Sequence, residues 1–168
     1  MTGIHHRAWD AHRRARMAVA CGAGVVAIAL AGAGCGGALS TGLSRSQLAA
    51  RADAACTAFN TGASKIQTPS DLPRNPVTAA TYFDALKPLG AAFDRTILSL
   101  KPNSSAKPLW DRFVAAGKHI GALTDEADTR AHANDRTGLM AVARTVSQYQ
   151  QTTLNPIANR LGATVCGG

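Results

Sequence analysis

Hydrophobic residues recur at steps of three and four in four segments after residue 43, the spacing that places side chains on one face of an α-helix. Ser44 and Gln47 precede the first segment with the spacing of a capping box, in which each side chain accepts a hydrogen bond from the other residue's backbone N–H. We therefore predict a first helix that begins after Ser44. Its apolar positions are Leu48, Ala52, Ala55, Phe59, Ala63 and Ile66.

The second segment, residues 76–100, is predicted to be one helix that begins after Asn75. Pro88 lies inside it, removes one backbone donor and crowds the carbonyl of Asp84, so we expect a kink without a break. Three prolines within residues 67–76 predict a surface connection between the first two helices. The apolar positions of this helix are Phe83, Leu86, Gly90, Phe93, Ile97 and Leu100.

The third predicted helix passes through Pro108 and ends near residues 131–133. Ser104 is its expected N-cap, because a serine oxygen can accept a hydrogen bond from the first free backbone N–H groups of a helix. Its inward positions are Trp110, Phe113, Gly117, Ile120, Leu123 and Ala127.

The fourth predicted helix is capped by Asn134 or Asp135 and ends at Gly162, a residue type that commonly stops helices. Pro156 is expected to interrupt it. The apolar positions are Leu139, Val142, Val146, Tyr149, Thr153, Ile157 and Leu161.

Four amphipathic helices with mostly short connections predict an all-α fold, an up-down-up-down antiparallel four-helix bundle over residues 44–168. The composition agrees, since 34 alanines, 16 glycines and 5% aromatic residues favour closely packed helices over a β-rich core. A chain of 168 residues has room for one such domain.

The residues before the bundle predict export. Arg7, Arg13, Arg14 and Arg16 precede an uncharged run over residues 17–34, which is the arrangement of a secretory signal peptide. We expect residues 1–34 to form a signal helix that is cleaved. Two alternatives stay open: the run approaches the ~20 residues that span a bilayer as a permanent anchor, and the adjacent arginines would also suit a twin-arginine signal.

Small residues lead into Cys35 in the stretch LAGAGC, which resembles a bacterial lipobox. The resemblance implies that Cys35 becomes the mature N-terminus and carries diacylglycerol and palmitate, with residues 35–43 as a flexible tether. The pattern has a leucine-like residue three positions before the cysteine, where this chain has Gly32. Cleavage after Ala33 or Ala38 is the alternative. We therefore expect the protein at the extracytoplasmic face of the cell membrane, or secreted.

Four cysteines are present, and two of them stay in the predicted bundle. Cys21 belongs to the predicted signal and Cys35 to the lipobox, which leaves Cys56 and Cys166. In an oxidising compartment this pair is expected to form a disulfide. A redox or metal-binding pair is the alternative, which is less favoured because neither cysteine has a His or Cys neighbour to lower its thiol pKa.

Several short stretches carry a resemblance to a known family. They are ADAAC at residues 52–56, FN at 59–60, YF at 82–83, LKPL at 86–89, LSLKP at 98–102 and LGATVCG at 161–167. Together they resemble uncharacterised, alanine-rich predicted lipoproteins of actinobacteria over most of the mature chain. The resemblance implies a helical bundle pinned by its first and last cysteines, and it supplies no activity.

Two catalytic or cofactor motifs match as strings without their structural context. Residues 22–27 fit a dinucleotide-binding fingerprint, but they lie in the predicted signal with no βαβ unit around them. Residues 104–107 match the SxxK pattern of acylating serines without its companion motifs. We predict neither an enzyme nor a bound cofactor.

Acidic and histidine residues gather near the end of the third helix. Asp128 and His132 are four residues apart and could share one face, with His119, Asp125 and Glu126 nearby. However, positions 125, 126 and 128 of one helix cannot all point the same way. We predict a solvent-exposed helix end and no metal site.

The mature chain carries 14 basic and nine acidic residues, a net charge of +5. Because these charges are dispersed and no basic stripe carries stacking aromatics, nucleic acid is not an expected partner. Anionic headgroups, an envelope protein or a cell-wall component fit a mildly basic surface near a membrane.

Two functional hypotheses follow. The first is a non-enzymatic binding or scaffold module of the cell envelope, held to the membrane by its lipid anchor, that presents a helix face to a partner. The alternative is a carrier or sensor of a small apolar ligand, held between proline-kinked helices in a pocket lined by Phe83, Phe93, Trp110, Phe113 and Tyr149. A cavity above ~300 Å³ between helices would favour the carrier.

Overall fold

The computed structural model describes residues 41–167, which form helices and no strand. The all-α prediction is confirmed. The predicted signal at 1–34, Cys35 and the tether up to residue 40 lie outside these residues. No helix of the described part is long and apolar enough to cross a bilayer. The elements are α1 (Arg45–Ala63), α2 (Pro76–Ser99), α3 (Lys107–His132), α4 (Arg136–Tyr149), a π-helical segment (Gln150–Leu154), α5 (Asn155–Leu161) and α6 (Thr164–Gly167).

Helix α1 packs against α2, α2 against α3, and α3 against α4. The π-helical segment and α5 continue α4 as one rod, which returns to α1 and α3. The result is the four-helix bundle expected from the apolar periodicity, with α6 closing one end against α1.

Helix ends follow local side-chain chemistry at three of the four N-termini. The capping box of Ser44 and Gln47 is present as predicted. Asn75 accepts a hydrogen bond from Val77 N–H at the start of α2, and Asp135 accepts one from Gly138 N–H at the start of α4.

The predicted N-cap of α3 is wrong. Helix α3 begins at Lys107 rather than after Ser104, and its cap residue, Ala106, has no side-chain acceptor. Instead Asn103 Oδ1 accepts a hydrogen bond from Ala106 N–H at 2.9 Å, because the connection holds Asn103 in place through its own N–H bonded to Leu43 O.

Leu43, placed in the flexible tether from sequence, is bonded to the bundle. Its N–H donates to Lys101 O at 2.7 Å, and its carbonyl accepts from Asn103 N–H at 2.9 Å. Gly42 has a φ of 114°, and a Cβ there would lie 2.7 Å from Pro102 O, so glycine is required at this close approach. Gly42 and Leu43 therefore belong to the folded domain.

The two internal prolines behave differently. Helix α2 continues through Pro88 to Ser99, so Pro88 does not break the helix, as predicted. Before Pro156 the chain instead adopts the π-helical segment, in which Asn155 N–H donates to Gln150 O, five residues earlier. This wider turn accommodates a residue that has no N–H to give to the preceding turn.

The core consists of two clusters at different levels of the bundle. The first, at the α6 end, is built from α1, α2, α3 and α5 and includes Leu48, Ile97, Trp110, Phe113 and Leu161. The second, around the α3–α4 turn, is formed by Ala79, Ala127, Ala131, Leu139 and Val142. On α3 the two clusters are separated by the stretch that contains Gly117 and Gly121.

The C-terminal segment is fastened to α1 at three points along one face. Arg45 donates to the backbone carbonyls of Arg160 and Leu161. Asp53 accepts hydrogen bonds from three consecutive backbone N–H groups, those of residues 164–166, at 2.8 to 3.2 Å. Cys56 and Cys166 form the predicted disulfide, with a Cα–Cα distance of 5.5 Å.

Replacing Asp53 with alanine should lower the free energy of unfolding by about 1–2 kcal/mol, because its carboxylate satisfies the three N–H groups at the start of α6. Urea denaturation of the oxidised protein measures the change. Asp94→Ala is the matched control, since Asp94 is exposed and makes no such bonds in residues 41–167. Equal stability of the two variants would contradict a capping role for Asp53.

Candidate functional site

A groove lies between α2 and α3 at the level where the two core clusters separate. Its volume is about 390 Å³. Phe93 and Ile97 of α2 form one wall, Phe113 and Ile120 of α3 form the other, and Leu154 of the π-helical segment joins them. Cys56 and Cys166 also border it, so the disulfide forms part of its lining. We call this feature the α2/α3 groove.

Two glycines of α3, Gly117 and Gly121, line the α2/α3 groove and leave it open. A Cβ built on either residue would have no atom within 4 Å. Glycine within a helix costs about 1 kcal/mol relative to alanine. No neighbouring backbone packs closely enough here to exclude a side chain. The absence of side chains at these two positions therefore leaves open space in the groove.

The five aromatic residues predicted to form one pocket do not all meet. Phe93 and Phe113 line the α2/α3 groove. Trp110 is 3% exposed and packs in the core against Phe113, with ring centroids 5.4 Å apart. Phe83 packs against the second core cluster, and Tyr149 lies on His119 with ring centroids 4.3 Å apart.

The predicted origin of the pocket also needs correction. Pro88 was expected to open space between helices, but it does not line the α2/α3 groove, and the opening lies at Gly117 and Gly121 instead. Pro156 contributes only through the π-helical segment, which brings Leu154 to the groove. The sequence signal that was missed is the pair of glycines four residues apart, which shares one helix face.

Three charged side chains stand at the mouth of the α2/α3 groove. Asp94 comes from α2, and Lys118 and Asp125 come from α3. All three are exposed, and none forms an ion pair within residues 41–167. An apolar floor with a few polar groups at its edge is the usual composition of a small-molecule binding site.

A second group of polar residues, which we call the charged cluster, joins α2 to the end of α3. It consists of Asp84, Lys87, Asp128 and His132. Lys87 Nζ lies 2.7 Å from Asp84 Oδ1 and 3.0 Å from Asp128 Oδ2. His132 Nε2 lies 3.3 Å from Asp84 Oδ2, and His132 Nδ1–H donates to Asp128 O at 3.0 Å. The helix end is largely solvent-exposed, as predicted, and its side chains also form an interhelical ion-pair network that was not predicted.

The donor atoms of Asp84, Asp128 and His132 lie within 4.8 Å of one another and are of types that bind divalent metals. However, the Lys87 ammonium already binds both carboxylates, and a metal ion would have to displace it. The arrangement fits a network of ion pairs better than a metal centre. Sequence reasoning found Asp128 and His132 and missed Asp84 and Lys87, which belong to another helix.

The charged cluster shifts the pKa values of its members in opposite directions. The pKa of Asp84 is lowered, chiefly by its hydrogen bond from Lys87. The pKa of His132 is raised, chiefly by its hydrogen bond to the Asp128 carbonyl and then by the nearby Asp128 and Asp84 charges. Ionised Asp84 and protonated His132 are therefore the forms that the folded protein favours.

The charged cluster should stabilise the fold most between about pH 3.9 and 6.5, the ordinary pKa values of Asp and His. Below this window Asp84 loses its charge, and above it, as pH rises through the raised pKa of His132, the imidazolium is lost. The urea concentration at the midpoint of unfolding should therefore decrease as the pH is raised from about 5.5 to 8. His132→Gln should make that decrease smaller. His119→Gln is the control, and a pH dependence that persists unchanged in His132→Gln would contradict this role.

Comparison of the chain with family models, with curated proteins and with solved structures finds no match. The fold and site define a disulfide-linked, all-α bundle with an apolar groove between α2 and α3 at its surface.

Proposed function

We propose that the protein is a non-enzymatic binding module of the cell envelope that carries or senses a small apolar ligand in the α2/α3 groove. In this proposal a lipid on Cys35 holds the bundle at the outer face of the membrane, and cleavage elsewhere would give a secreted form. The resemblance to predicted actinobacterial lipoproteins and the basic, then apolar, N-terminal sequence support the location.

The observation that carries the ligand is the apolar lining that α2, α3 and the π-helical segment give the α2/α3 groove, whose volume of about 390 Å³ lies within the range of small-molecule sites, roughly 300–1,000 Å³. The floor is apolar, and the charged residues stand only at the mouth. The large exposed apolar side chains of the described part are Val77, Leu98 and Val165, and Leu98 borders the α2/α3 groove. Val77 lies 21 residues from Leu98, about 31 Å along the axis of α2, so these two residues do not form one continuous apolar face.

The test is native mass spectrometry of the protein purified from its own host, as wild type and as the double variant Gly117→Leu/Gly121→Leu. The two leucines enter the α2/α3 groove without a clash at their Cβ atoms and remove two helix-destabilising glycines. We expect a bound small molecule on the wild type and its loss from the double variant.

Gly90→Leu is the matched control, because a Cβ at Gly90 of α2 also meets no atom within 4 Å and Gly90 does not line the groove. This control should keep the bound molecule. Equal retention by the double variant, or a stoichiometric protein partner in place of a small molecule, would contradict the carrier function.

A further inference from the structure

We propose, given the proposed function, that the ligand of the α2/α3 groove is an amphiphile with one extended aliphatic chain and a positively charged head group. The chain would lie along the floor between Phe93 and Phe113, and the head would lie at the carboxylates of Asp94 and Asp125. Three observations lead to this ligand class: the shape of the groove, the state of its acidic residues and the balance of charge at its mouth.

The shape favours a single chain. The groove follows α3 from Phe113 to Asp125, twelve residues that rise about 18 Å along the helix axis. Apolar side chains line this course on both helices, Phe113 and Ile120 on α3 and Phe93 and Ile97 on α2. An extended aliphatic chain can follow this elongated apolar course.

The acidic residues at the mouth differ from the others in the described part. Residues 41–167 contain nine acidic side chains. Seven of them accept hydrogen bonds or form ion pairs: Asp53, Asp71, Asp84, Asp111, Glu126, Asp128 and Asp135. The two that do neither within these residues are Asp94 and Asp125, and both line the α2/α3 groove. The two carboxylates that have no hydrogen-bond or ion-pair partner within residues 41–167 thus both lie at the groove.

The charge balance at the mouth selects the head group. Across residues 41–167 basic side chains outnumber acidic ones, 14 to nine. At the mouth the ratio reverses, with two carboxylates and the single ammonium of Lys118. Lys118 also borders a neighbouring depression beside Trp110 and Asp111, so its ammonium is shared with a second surface. An anionic head would meet two like charges here, whereas a cationic head would pair with them.

The test compares two probes with the same alkyl chain, dodecyltrimethylammonium and dodecyl sulfate. Their binding is measured by isothermal titration calorimetry below their critical micelle concentrations. With the full chain and its disulfide intact, the cationic probe should bind about tenfold more tightly than the anionic one, since each exposed charge pair contributes about 0.2–1 kcal/mol. The preference should shrink as salt is added.

Two further variants make the result specific. Asp94→Asn/Asp125→Asn should bring the two probes to within about twofold of each other while both still bind. Glu126→Gln/Asp135→Asn changes the net charge equally at two carboxylates that pair with Arg130 and do not line the groove, and it should keep the preference. Gly117→Leu/Gly121→Leu should weaken both probes.

Each other outcome counts against one of the two proposals. Equal binding of both probes, or tighter binding of dodecyl sulfate, with sensitivity to the two leucines would overturn the cationic head group and leave the carrier function standing. Binding that the two leucines do not affect, or no binding of either probe, would overturn the groove as the ligand site and with it this inference.

Discussion

Replacing both Cys56 and Cys166 with serine should lower the free energy of unfolding by about 4–5 kcal/mol. The disulfide joins residues 110 positions apart, and closing a loop of about 100 residues restricts the unfolded chain by about 4.7 kcal/mol. A domain of this size has a total stability of about 5–15 kcal/mol, so the loss is a large share. Denaturation in guanidinium chloride, by far-UV circular dichroism, measures it.

The native helices should survive this change, because Arg45 and Asp53 still bind the C-terminal segment to α1. The circular dichroism spectrum of the serine variant without denaturant should therefore match that of the wild type. Wild-type protein kept under reducing conditions is the control, and its unfolding midpoint should equal that of the serine variant. A midpoint that is unchanged by either treatment would show that the disulfide does not constrain the unfolded chain.

Helix positions could be predicted from the sequence because the signals that set them are local. The capping box at Ser44 acts within three residues, and Asp135 bonds a backbone N–H three residues later. Gly162 ends α5 with a φ of 94°, a conformation that glycine adopts without strain. The start of α3 was missed because Ser104 and Asn103 offer similar acceptors, and only the contact of Asn103 with Leu43 distinguishes them.

The disulfide was predictable for a different reason. Once Cys21 and Cys35 are assigned to the export segment, only one intramolecular pairing remains for Cys56 and Cys166. This pairing needed no knowledge of how the helices pack, and the structure confirms it.

The α2/α3 groove and the charged cluster could not be found from periodicity, because both depend on the register in which α2 and α3 pack along their axes. Phe83 and Phe93 lie on one apolar stripe, yet ten residues of helix separate them by about 15 Å and place them in different surroundings. Lys87 reaches Asp128 only in this register of the two helices. A periodic pattern reports which face is buried but not which residues of two faces meet.

Replacing Trp110 with alanine should destabilise the protein by about 3–5 kcal/mol. Trp110 is 3% exposed, and it lies in the first core cluster with residues of α1, α2, α3 and α5. Removing its indole loses buried apolar contact and leaves a cavity that small alanine neighbours cannot fill. Urea denaturation followed by far-UV circular dichroism measures the change, since Trp110 is the sole tryptophan of residues 41–167 and fluorescence would be lost.

Two comparisons separate this packing effect from a general sensitivity of α3. Trp110→Phe keeps a ring against Phe113 and should cost less than half as much as the alanine change. Leu98→Ala removes a side chain that is 49% exposed and should cost about 1 kcal/mol or less. A Trp110→Ala variant no less stable than Leu98→Ala would mean that the first core cluster does not hold the four helices together, and the wall that Phe113 gives the α2/α3 groove would then lack its support.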